Sequence, residues 1–433
     1  MSSSRRGFVS SVGKGVGLAA LSWGAVAALA EELHAAAQKV AALTPQQAAT
    51  EEDFWFQIQQ AFTPGRGITN LNNGGVCPSP RIVTEALHRY QWQQEETTAY
   101  TMWQILEPQS ETVRAGLARL FGCDAEEIAI TRNASESLET ILLGIDLQRG
   151  DEILTTSQDY PRMLNTLRQR EQREGIKLSL IQIPVVAGKP DEIVRAFEQA
   201  ITPRTKMILV SHMVNITGQV LPVREICALA RARNIPSVVD GAHSFAHVVH
   251  TRDDLGCDFY ATSLHKWLYA PKGTGLLYVR RDLIPTVWPL MAAEDRQAGD
   301  IRKFEEIGTH SAAPRVAIGE AILFHDGVGA ARKEARLRYL SRYWMNQVKA
   351  LPNVRFHTSF DDRSCAIATV EIEGLEPGAV TSHLMSRHKI YTTPIGHEQF
   401  KGVRVTPNLF TTLPELDRFA EALTTIARNG IPA

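Results

Sequence analysis

A lysine between a histidine and a tryptophan is the residue of this sequence best suited to covalent chemistry. Lys266 stands in Ser-Leu-His-Lys-Trp, residues 263–267, and a Pro/Gly turn then leads into the apolar run 276–279. Bulky neighbours and the following strand are expected to draw the lysine stem into the protein. A buried lysine has a lowered pKa and a free amine, which can bond to an aldehyde. The competing interpretation is an ordinary lysine with a buried stem and a solvated charge.

An aspartate upstream of the lysine supplies a matching carboxylate. The segment 235–239 (Ile-Pro-Ser-Val-Val) ends in two β-branched residues and is interpreted as a buried parallel strand, and Asp240 follows at its carboxyl end. Open α/β sheets bind ligands at that edge, and the chain between Asp240 and Lys266 can hold one more strand, 258–262. An amine for an aldehyde and a carboxylate for a ring nitrogen are what pyridoxal 5′-phosphate (PLP) requires. The pair therefore predicts a PLP site at the edge of one sheet.

The segments around Asp240 and Lys266 resemble those of the class V aminotransferase family of PLP-dependent enzymes, and most closely its isopenicillin N epimerase-like branch. The resemblance covers most of residues 65–428. It implies the α/β architecture of fold type I, in which helices flank a mainly parallel mixed sheet and a smaller α+β domain follows. We therefore expect a large PLP-binding domain over residues 65–300 and a smaller C-terminal domain over 301–433.

The segment after a predicted strand at 127–131 opens a helix with small polar residues, whose free N–H groups could cradle a phosphate. It matches the family's phosphate loop, although a simple helix cap would look much the same. The resemblance implies further cofactor contacts: phosphate binding from the lysine side, stacking on the ring, and contact with the ring's 3-oxygen. The loop residues are Asn133, Ala134 and Ser135. By the resemblance, Ser263 and His265 bind the phosphate from the lysine side, Tyr160 stacks on the ring, and Asn215 and His243 contact the 3-oxygen. For the two histidines, packing in the core is the competing interpretation.

Two further positions concern the substrate. By the resemblance, Arg404 aligns with the arginine that binds a substrate α-carboxylate, and a guanidinium suits that task because it pairs bidentately. Asn73 lies in an Asn/Gly-rich segment similar to one that reaches the family's substrate pocket. The competing interpretations are a strand arginine that faces solvent and a simple turn ahead of a helix.

Together these residues imply an enzyme that acts on an amino acid, or on a metabolite with an amino group such as a peptide-linked amine, through a Cα carbanion. Lys266 would accept the Cα proton, and Asp240 would keep the cofactor ring protonated. Transamination, epimerisation and β-elimination all remain open. Cysteine desulfurase activity is disfavoured, because the family's nucleophilic cysteine precedes the arginine and residues 392–403 contain none.

A protein of a different class is the remaining alternative. The chain could be an exported binding or accessory protein with a PLP-enzyme fold and no turnover. The presence of Lys266, Asp240 and Arg404 argues against this, since binding alone does not need all three.

Composition is that of an ordinary enzyme subunit. The chain has 433 residues, 44% of them hydrophobic, and a net charge of −1, which gives no reason to expect a nucleic acid or an anionic membrane as partner. Its five cysteines are scattered, so neither a metal site nor a disulfide framework is expected. Thr309 matches a family threonine that reaches the phosphate of the neighbouring subunit, which implies a homodimer with shared active sites.

The N-terminus has the plan of a bacterial twin-arginine export signal. Arg5 and Arg6 precede a small-residue apolar run over 16–30 that ends in Ala-Leu-Ala. The competing interpretations are a membrane anchor and a simple amphipathic helix, but the run is shorter than the roughly 20 residues that span a bilayer. We therefore expect a cleaved signal over residues 1–30, a linker or helix over 31–64, and a periplasmic or exported protein.

Overall fold

The structure is a computed structural model, and it describes residues 35, 37–65, 67–186 and 189–431. The predicted export signal lies outside these residues. No helix in the described part of the chain is both long enough and apolar enough to cross a membrane.

Helices and strands alternate between residues 128 and 263. The α-helices are Pro45–Ala48, Glu52–Gln60, Arg81–Glu96, Thr98–Tyr100, Glu107–Phe121, Ala134–Gly144, Pro161–Glu174, Pro190–Ala200, Val223–Arg231, Arg252–Leu255, Ala313–Val316, Ile318–Val328, Ala330–Val348, Pro377–His388 and Leu413–Asn429. The strands are β1 (Thr69–Asn70), β2 (Ile128–Thr131), β3 (Glu152–Thr156), β4 (Lys177–Ile181), β5 (Thr205–Ser211), β6 (Ser237–Asp240), β7 (Phe259–Ser263), β8 (Gly275–Val279), β9 (Val354–Phe356), β10 (Ala368–Ile372), β11 (Ile390–Tyr391), β12 (Thr393–His397) and β13 (Phe400–Val405).

A seven-stranded sheet forms the centre of the large domain, in the order β2-β8-β7-β6-β5-β3-β4. Strands β7, β6, β5, β3 and β4 pair in parallel, whereas β8 runs antiparallel to both of its neighbours. The predicted mainly parallel mixed sheet is therefore confirmed. The predicted strands that flank the site are confirmed as well, and Asp240 is the last residue of β6.

Both faces of this sheet are buried. Along β5, Ile208 and Val210 pack into one hydrophobic core, and Met207 and Leu209 pack into the core on the opposite face. Successive side chains of a strand point to opposite faces, so a continuous apolar run requires cover on both sides. Helices supply that cover, which leaves the carboxyl edge of the sheet as the place where polar side chains gather.

A smaller domain contains a four-stranded antiparallel sheet in the order β12-β13-β10-β9. Strand β1 pairs in parallel with β11, and Leu71 packs into the hydrophobic core of this domain. The start of the segment predicted for the large domain thus joins the smaller domain. This crossing places Asn72 beside Arg404 of β13.

The segment predicted as a linker or helix contains packed helices. Trp55, in the helix Glu52–Gln60, is fully buried and shares a hydrophobic core with Trp267 and Tyr269. Its indole N–H donates to the carbonyl of Ala48 over 2.7 Å. These early helices therefore support the turn that follows Lys266.

Candidate active site

A cavity of about 280 Å³ lies where the strands of the central sheet end. Most of the predicted site residues line it: Asn133, Ala134, Ser135, Tyr160, Asn215, Asp240, His243, Ser263, His265, Lys266 and Arg404. Residues from distant parts of the chain meet here because parallel strands place their carboxyl ends at one edge. Asn73 and Thr309 are the predicted site residues that do not line this cavity.

The amine of Lys266 opens into the cavity from the turn after β7. Its Nζ lies 3.2 Å from Nε2 of His243. Burial lowers the pKa of Lys266 to about 8; Asp240 opposes this shift and Arg404 adds to it. A lowered pKa leaves far more neutral amine near pH 7 than an exposed lysine has, and the neutral form is the nucleophile and the base.

The carboxyl group of Asp240 is buried at the same cavity. One oxygen accepts a hydrogen bond from the backbone N–H of Ala242 over 2.8 Å. Burial raises the pKa of Asp240 to about 6, the Ala242 N–H and Lys266 oppose the shift, and Asp159 adds to it. A carboxyl in such surroundings gains from a cationic partner, which a protonated ring nitrogen would supply.

The N-terminus of the helix Ala134–Gly144 faces the cavity. Asn133 caps the helix by accepting the N–H of Glu136 over 2.9 Å, and the N–H of Ala134 donates to Oγ of Ser263 over 2.9 Å. Free N–H groups and the helix dipole favour an anion at this position. The helix comes this close because β8 begins with Gly275, where a Cβ would lie 2.6 Å from the Asn133 nitrogen.

Arg404 is held from two sides. Its Nη1 donates to the carbonyl of Asn215 and its Nη2 donates to Oδ1 of Asn72, each over 2.9 Å. Nε of Arg404 and Oδ1 of Asn215 are buried without a hydrogen-bond partner. Such atoms are costly unless a ligand completes them, so this end of the cavity has spare capacity for a polar ligand.

Asn72 is a residue that the sequence prediction missed, and its neighbour Asn73 does not reach the cavity. The Asn73 amide donates to the carbonyls of Asn70 and Thr406, each over 2.9 Å, and the side chain is fully buried. Asn73 therefore fastens the turn, while Asn72 contacts the arginine. The sequence signal was the same for both, since they are adjacent in one Asn/Gly-rich turn.

Tyr160 stands at the corner between β3 and the helix Pro161–Glu174 and lines the cavity. The preceding residue, Asp159, accepts hydrogen bonds from Thr155, Thr156 and Ser211. These bonds fix the corner relative to β5. Asp159 was not predicted, because its donors lie on two separate strands.

The residues present fit PLP. One cavity combines an amine with a lowered pKa, a buried carboxyl and a helix N-terminus, which match the aldehyde, the ring nitrogen and the phosphate of that cofactor. The orphaned oxygen of Asn215 is a further polar atom that a ligand could satisfy.

Comparison with known proteins agrees with this geometry. Residues 69–409 match the family described as "Aminotransferase class-V". The isopenicillin N epimerase of Streptomyces clavuligerus is 28% identical, over 82% of this chain and 94% of that protein. That of Amycolatopsis lactamdurans is also 28% identical, over 86% and 99%. A probable cysteine desulfurase of Xylella fastidiosa (strain Temecula1) is 25% identical, over 85% and 93%.

Solved structures show the same fold. The apo cysteine desulfurase of Thermococcus onnurineus NA1 aligns with a TM-score of 0.75 at 22% identity, over 87% of this chain and 98% of that one. The cystine C–S lyase C-DES aligns with a TM-score of 0.74 at 23% identity, over 83% and 97%. The family match spans most of the chain and includes Asp240, Lys266 and Arg404; the chain therefore belongs to the class V aminotransferase family and is a PLP-dependent enzyme.

Proposed function

We propose that this enzyme removes the Cα proton of an amino acid, or of another metabolite with an amino group, and so catalyses transamination or epimerisation. The observation that carries the proposal is the shared cavity of Lys266 and Asp240, in which the lysine amine has a pKa of about 8. Bound PLP supplies an electron-accepting ring that weakens the Cα–H bond. Lys266 would hold the cofactor through its amine and would also act as the general base that accepts the Cα proton.

The other residues orient the reactants. Asp240 keeps a proton on the ring nitrogen, because a buried carboxylate favours a cation beside it. Arg404 binds the substrate carboxylate, and its contacts with Asn72 and Asn215 fix the plane of the guanidinium. A carboxylate held in one place limits the positions of Cα, which brings the proton within reach of one base.

Chemical reduction tests the covalent anchor. Borohydride added to the cofactor-loaded enzyme should fix PLP on the peptide that contains Lys266, as measured by mass mapping. Lys266→Ala should remove the label and the visible absorption of lysine-bound PLP. Lys272→Ala is the matched control, because Lys272 belongs to the same turn but its Nζ donates to Ser79 outside the cavity. A label on another lysine would refute the assignment.

Product analysis in deuterated water distinguishes the reactions. Transamination predicts an oxo acid and an aminated cofactor, whereas epimerisation predicts inverted configuration with deuterium at Cα. Loss of a β-substituent would identify a lyase. A spectral change with no product from any amino acid or peptide amine would identify a binding protein without turnover. The similarity to two isopenicillin N epimerases favours the epimerase assay as the first experiment.

We infer that the desulfurase chemistry named for some relatives does not extend to this chain. Residues 392–403 contain no cysteine, and the described residues that line the cavity include none. Cys365 is fully buried, and burial raises its pKa to about 12, which leaves the thiol protonated and inert. Cysteine should therefore yield no enzyme-bound persulfide. A persulfide detected on any cysteine by mass spectrometry would overturn this inference.

We further propose a homodimer with shared active sites. Thr309 is exposed and does not line the cavity of its own chain, so a phosphate contact by this residue requires a second subunit. Trp92 and Tyr100 are 77% and 63% exposed, so both aromatic side chains are available to a partner, and aromatic residues are enriched at protein interfaces. Light scattering on the purified enzyme should give twice the chain mass; a monomer with full activity would contradict the proposal.

We also propose export by the twin-arginine route, followed by cleavage near residue 30. The support is the sequence of the N-terminal segment alone, with Arg5 and Arg6 ahead of the apolar run. Replacement of both arginines by lysine should keep the precursor in the cytoplasm. Unchanged export of that double variant, measured by cell fractionation, would contradict the proposal.

A further inference from the structure

The ring of His243 lies between an indole and the lysine amine. The Trp267 indole Nε1 is 3.4 Å from Nδ1 of His243, and Nζ of Lys266 is 3.2 Å from Nε2 on the other side. Burial, with help from Lys266 and Arg404, lowers the pKa of His243 well below its usual value, so the ring is neutral. An indole N–H can only donate; Nδ1 must therefore be the acceptor, and Nε2 carries the proton.

A second histidine fixes the tryptophan. His247 stacks on the Trp267 indole with ring centroids 3.6 Å apart and an interplanar angle of 17°. The backbone N–H of Ala366 donates to Nε2 of His247 over 3.0 Å, which makes Nε2 an acceptor. The Nδ1–H of His247 therefore donates to the carbonyl of His243, 2.7 Å away. The N–H groups of Ala366 and Trp267 can donate a hydrogen bond but cannot accept one. The donor and the acceptor of each bond in this set are therefore determined.

The backbone on either side of this stack is held in an uncommon conformation. Among the described residues, four non-glycine residues have positive φ, and two of them are Ala246 (φ 56°) and Tyr269 (φ 64°). Ala246 precedes His247, and Tyr269 follows Trp267 by two residues. The Tyr269 hydroxyl donates to Asn408, and Nζ of Lys333 lies 4.0 Å from the centroid of its ring. Strain of this kind persists where surrounding contacts over-determine a geometry, often at functional sites.

We propose that Trp267 and His247 are positioning residues that fix the tautomer of His243, so that its Nε2–H always points towards the Lys266 amine. The proposal rests on the proposed role of Lys266. A fixed donor beside the amine pairs with the lone pair of the neutral form and has nothing to offer the ammonium form. These hydrogen bonds, which lead from Ala366 through His247 and from Trp267 to His243, are called the relay. The relay therefore favours the neutral form of the Lys266 amine and orients it towards the cavity. Without the indole N–H, the ring would be free to exchange its proton to Nδ1 and present a lone pair to Lys266.

Nitrogen NMR of isotope-labelled histidine tests the tautomer directly in the cofactor-free protein. The His243 resonances, assigned from the signals lost in His243→Asn, should show a protonated Nε2 and an unprotonated Nδ1. Trp267→Phe keeps an aromatic face for His247 but removes the indole donor. In this variant the chemical shifts of the two His243 nitrogens should approach each other, because both tautomers become populated. A protonated Nδ1 in the wild type, or unchanged shifts in Trp267→Phe, would overturn the proposal.

Trp55→Phe is the matched control. Trp55 is equally buried, belongs to the same hydrophobic core and also donates its indole N–H, but to the carbonyl of Ala48. This variant should lose comparable stability and leave the His243 shifts unchanged. A change of the His243 shifts in the control would show that the tautomer responds to core packing and not to the donor.

A second measurement on the wild-type protein tests the tautomer of His243 without any variant. If either variant fails to fold, neutron diffraction of deuterated wild-type crystals locates the ring proton of His243 without any substitution. The measurement also needs no bound PLP, so it is independent of the borohydride labelling that tests Lys266. A fixed tautomer with the label elsewhere would refute the proposed function alone, and a mobile proton with the label on Lys266 would refute only the relay.

Discussion

Two buried lysines of this enzyme have similar electrostatics and different surroundings. Burial lowers the pKa of Lys266 to about 8 and that of Lys333 to about 7. Lys333 is nevertheless enclosed: its Nζ donates to the Trp267 carbonyl, lies 3.4 Å from Nδ1 of His325, and sits over the Tyr269 ring. Lys266 opens into the cavity beside Asp240. A lowered pKa alone does not identify a catalytic amine, and access to a ligand-sized space does.

The same contrast separates two adjacent asparagines. The amide nitrogen of Asn73 donates both of its hydrogens to backbone carbonyls. Asn72 instead contacts Arg404, whose Nε has no hydrogen-bond partner. Groups whose hydrogen bonds are complete within the protein hold the fold. Groups that keep spare capacity at the cavity are available for a ligand.

The largest expected effect comes from replacing each of the two lysines in turn. Lys266→Ala should lower kcat by at least about 10²–10⁴-fold, the range for removal of a positioned general base, and its folding should remain close to wild type. Lys333→Met should instead lower the free energy of unfolding by about 1–3 kcal/mol, because the Trp267 carbonyl loses its buried donor. Steady-state kinetics and urea unfolding on both variants check the pair. A greater loss of kcat in Lys333→Met would reverse the comparison.

Arg404→Lys should lower kcat/KM by about 10–100-fold, since a charged hydrogen bond contributes about 1.5–3 kcal/mol and lysine cannot pair bidentately. The effect should be confined to substrates with a carboxylate near the amino group. Kinetics with an amino acid and its carboxyl amide measure this difference. Equal losses for both substrates would show that Arg404 does not bind the carboxylate.

Asn72→Ala and Asn73→Ala should separate binding from folding. Without Asn72 the guanidinium loses one anchor, and we expect KM to rise by about 5–10-fold, which corresponds to about 1 kcal/mol. Asn73→Ala removes two bonds inside the turn, so unfolding should become easier by about 1–2 kcal/mol with a smaller change in KM. If the two variants exchanged these effects, the assignment of the turn would be wrong.

A further effect is a dependence of stability on pH in the cofactor-free enzyme. An unfolded lysine keeps its proton up to about its ordinary pKa of 10.5, whereas folded Lys266 releases it near 8. Between these values the unfolded state binds more protons, and stability rises with pH. Lys266→Ala should flatten this rise, as judged from unfolding midpoints relative to wild type. Lys333→Met should flatten a rise that begins lower, near pH 7.

Asp240 contributes to the pH dependence of stability with the opposite sign to the two lysines. Its pKa rises from 3.8 to about 6 on folding, so the folded state binds more protons between these values and stability falls as pH rises through them. Asp240→Asn should remove this part of the profile in the cofactor-free enzyme.

Much of the fold and site was predictable because its signals are local. A predicted strand that ends at Asp240, a histidine–lysine–tryptophan turn and a small polar helix start each lie within a few consecutive residues. The predicted strands near them are β2, β6, β7 and β8, with ends displaced by one or two residues. Asn72, Asp159 and His247 were missed because their partners lie on other segments, and no local pattern records such contacts.

The sequence by itself determined the chemical groups and the edge at which they gather, because a strand's periodicity and its terminal residue are properties of neighbouring positions. Only the tertiary structure decided which lysine has access to the cavity, which asparagine contacts Arg404 and which nitrogen of His243 carries the proton. Those outcomes depend on hydrogen-bond partners brought together from β13 and from the segments that follow β1, β6 and β7. The distance between such partners is fixed by packing and not by the order of residues.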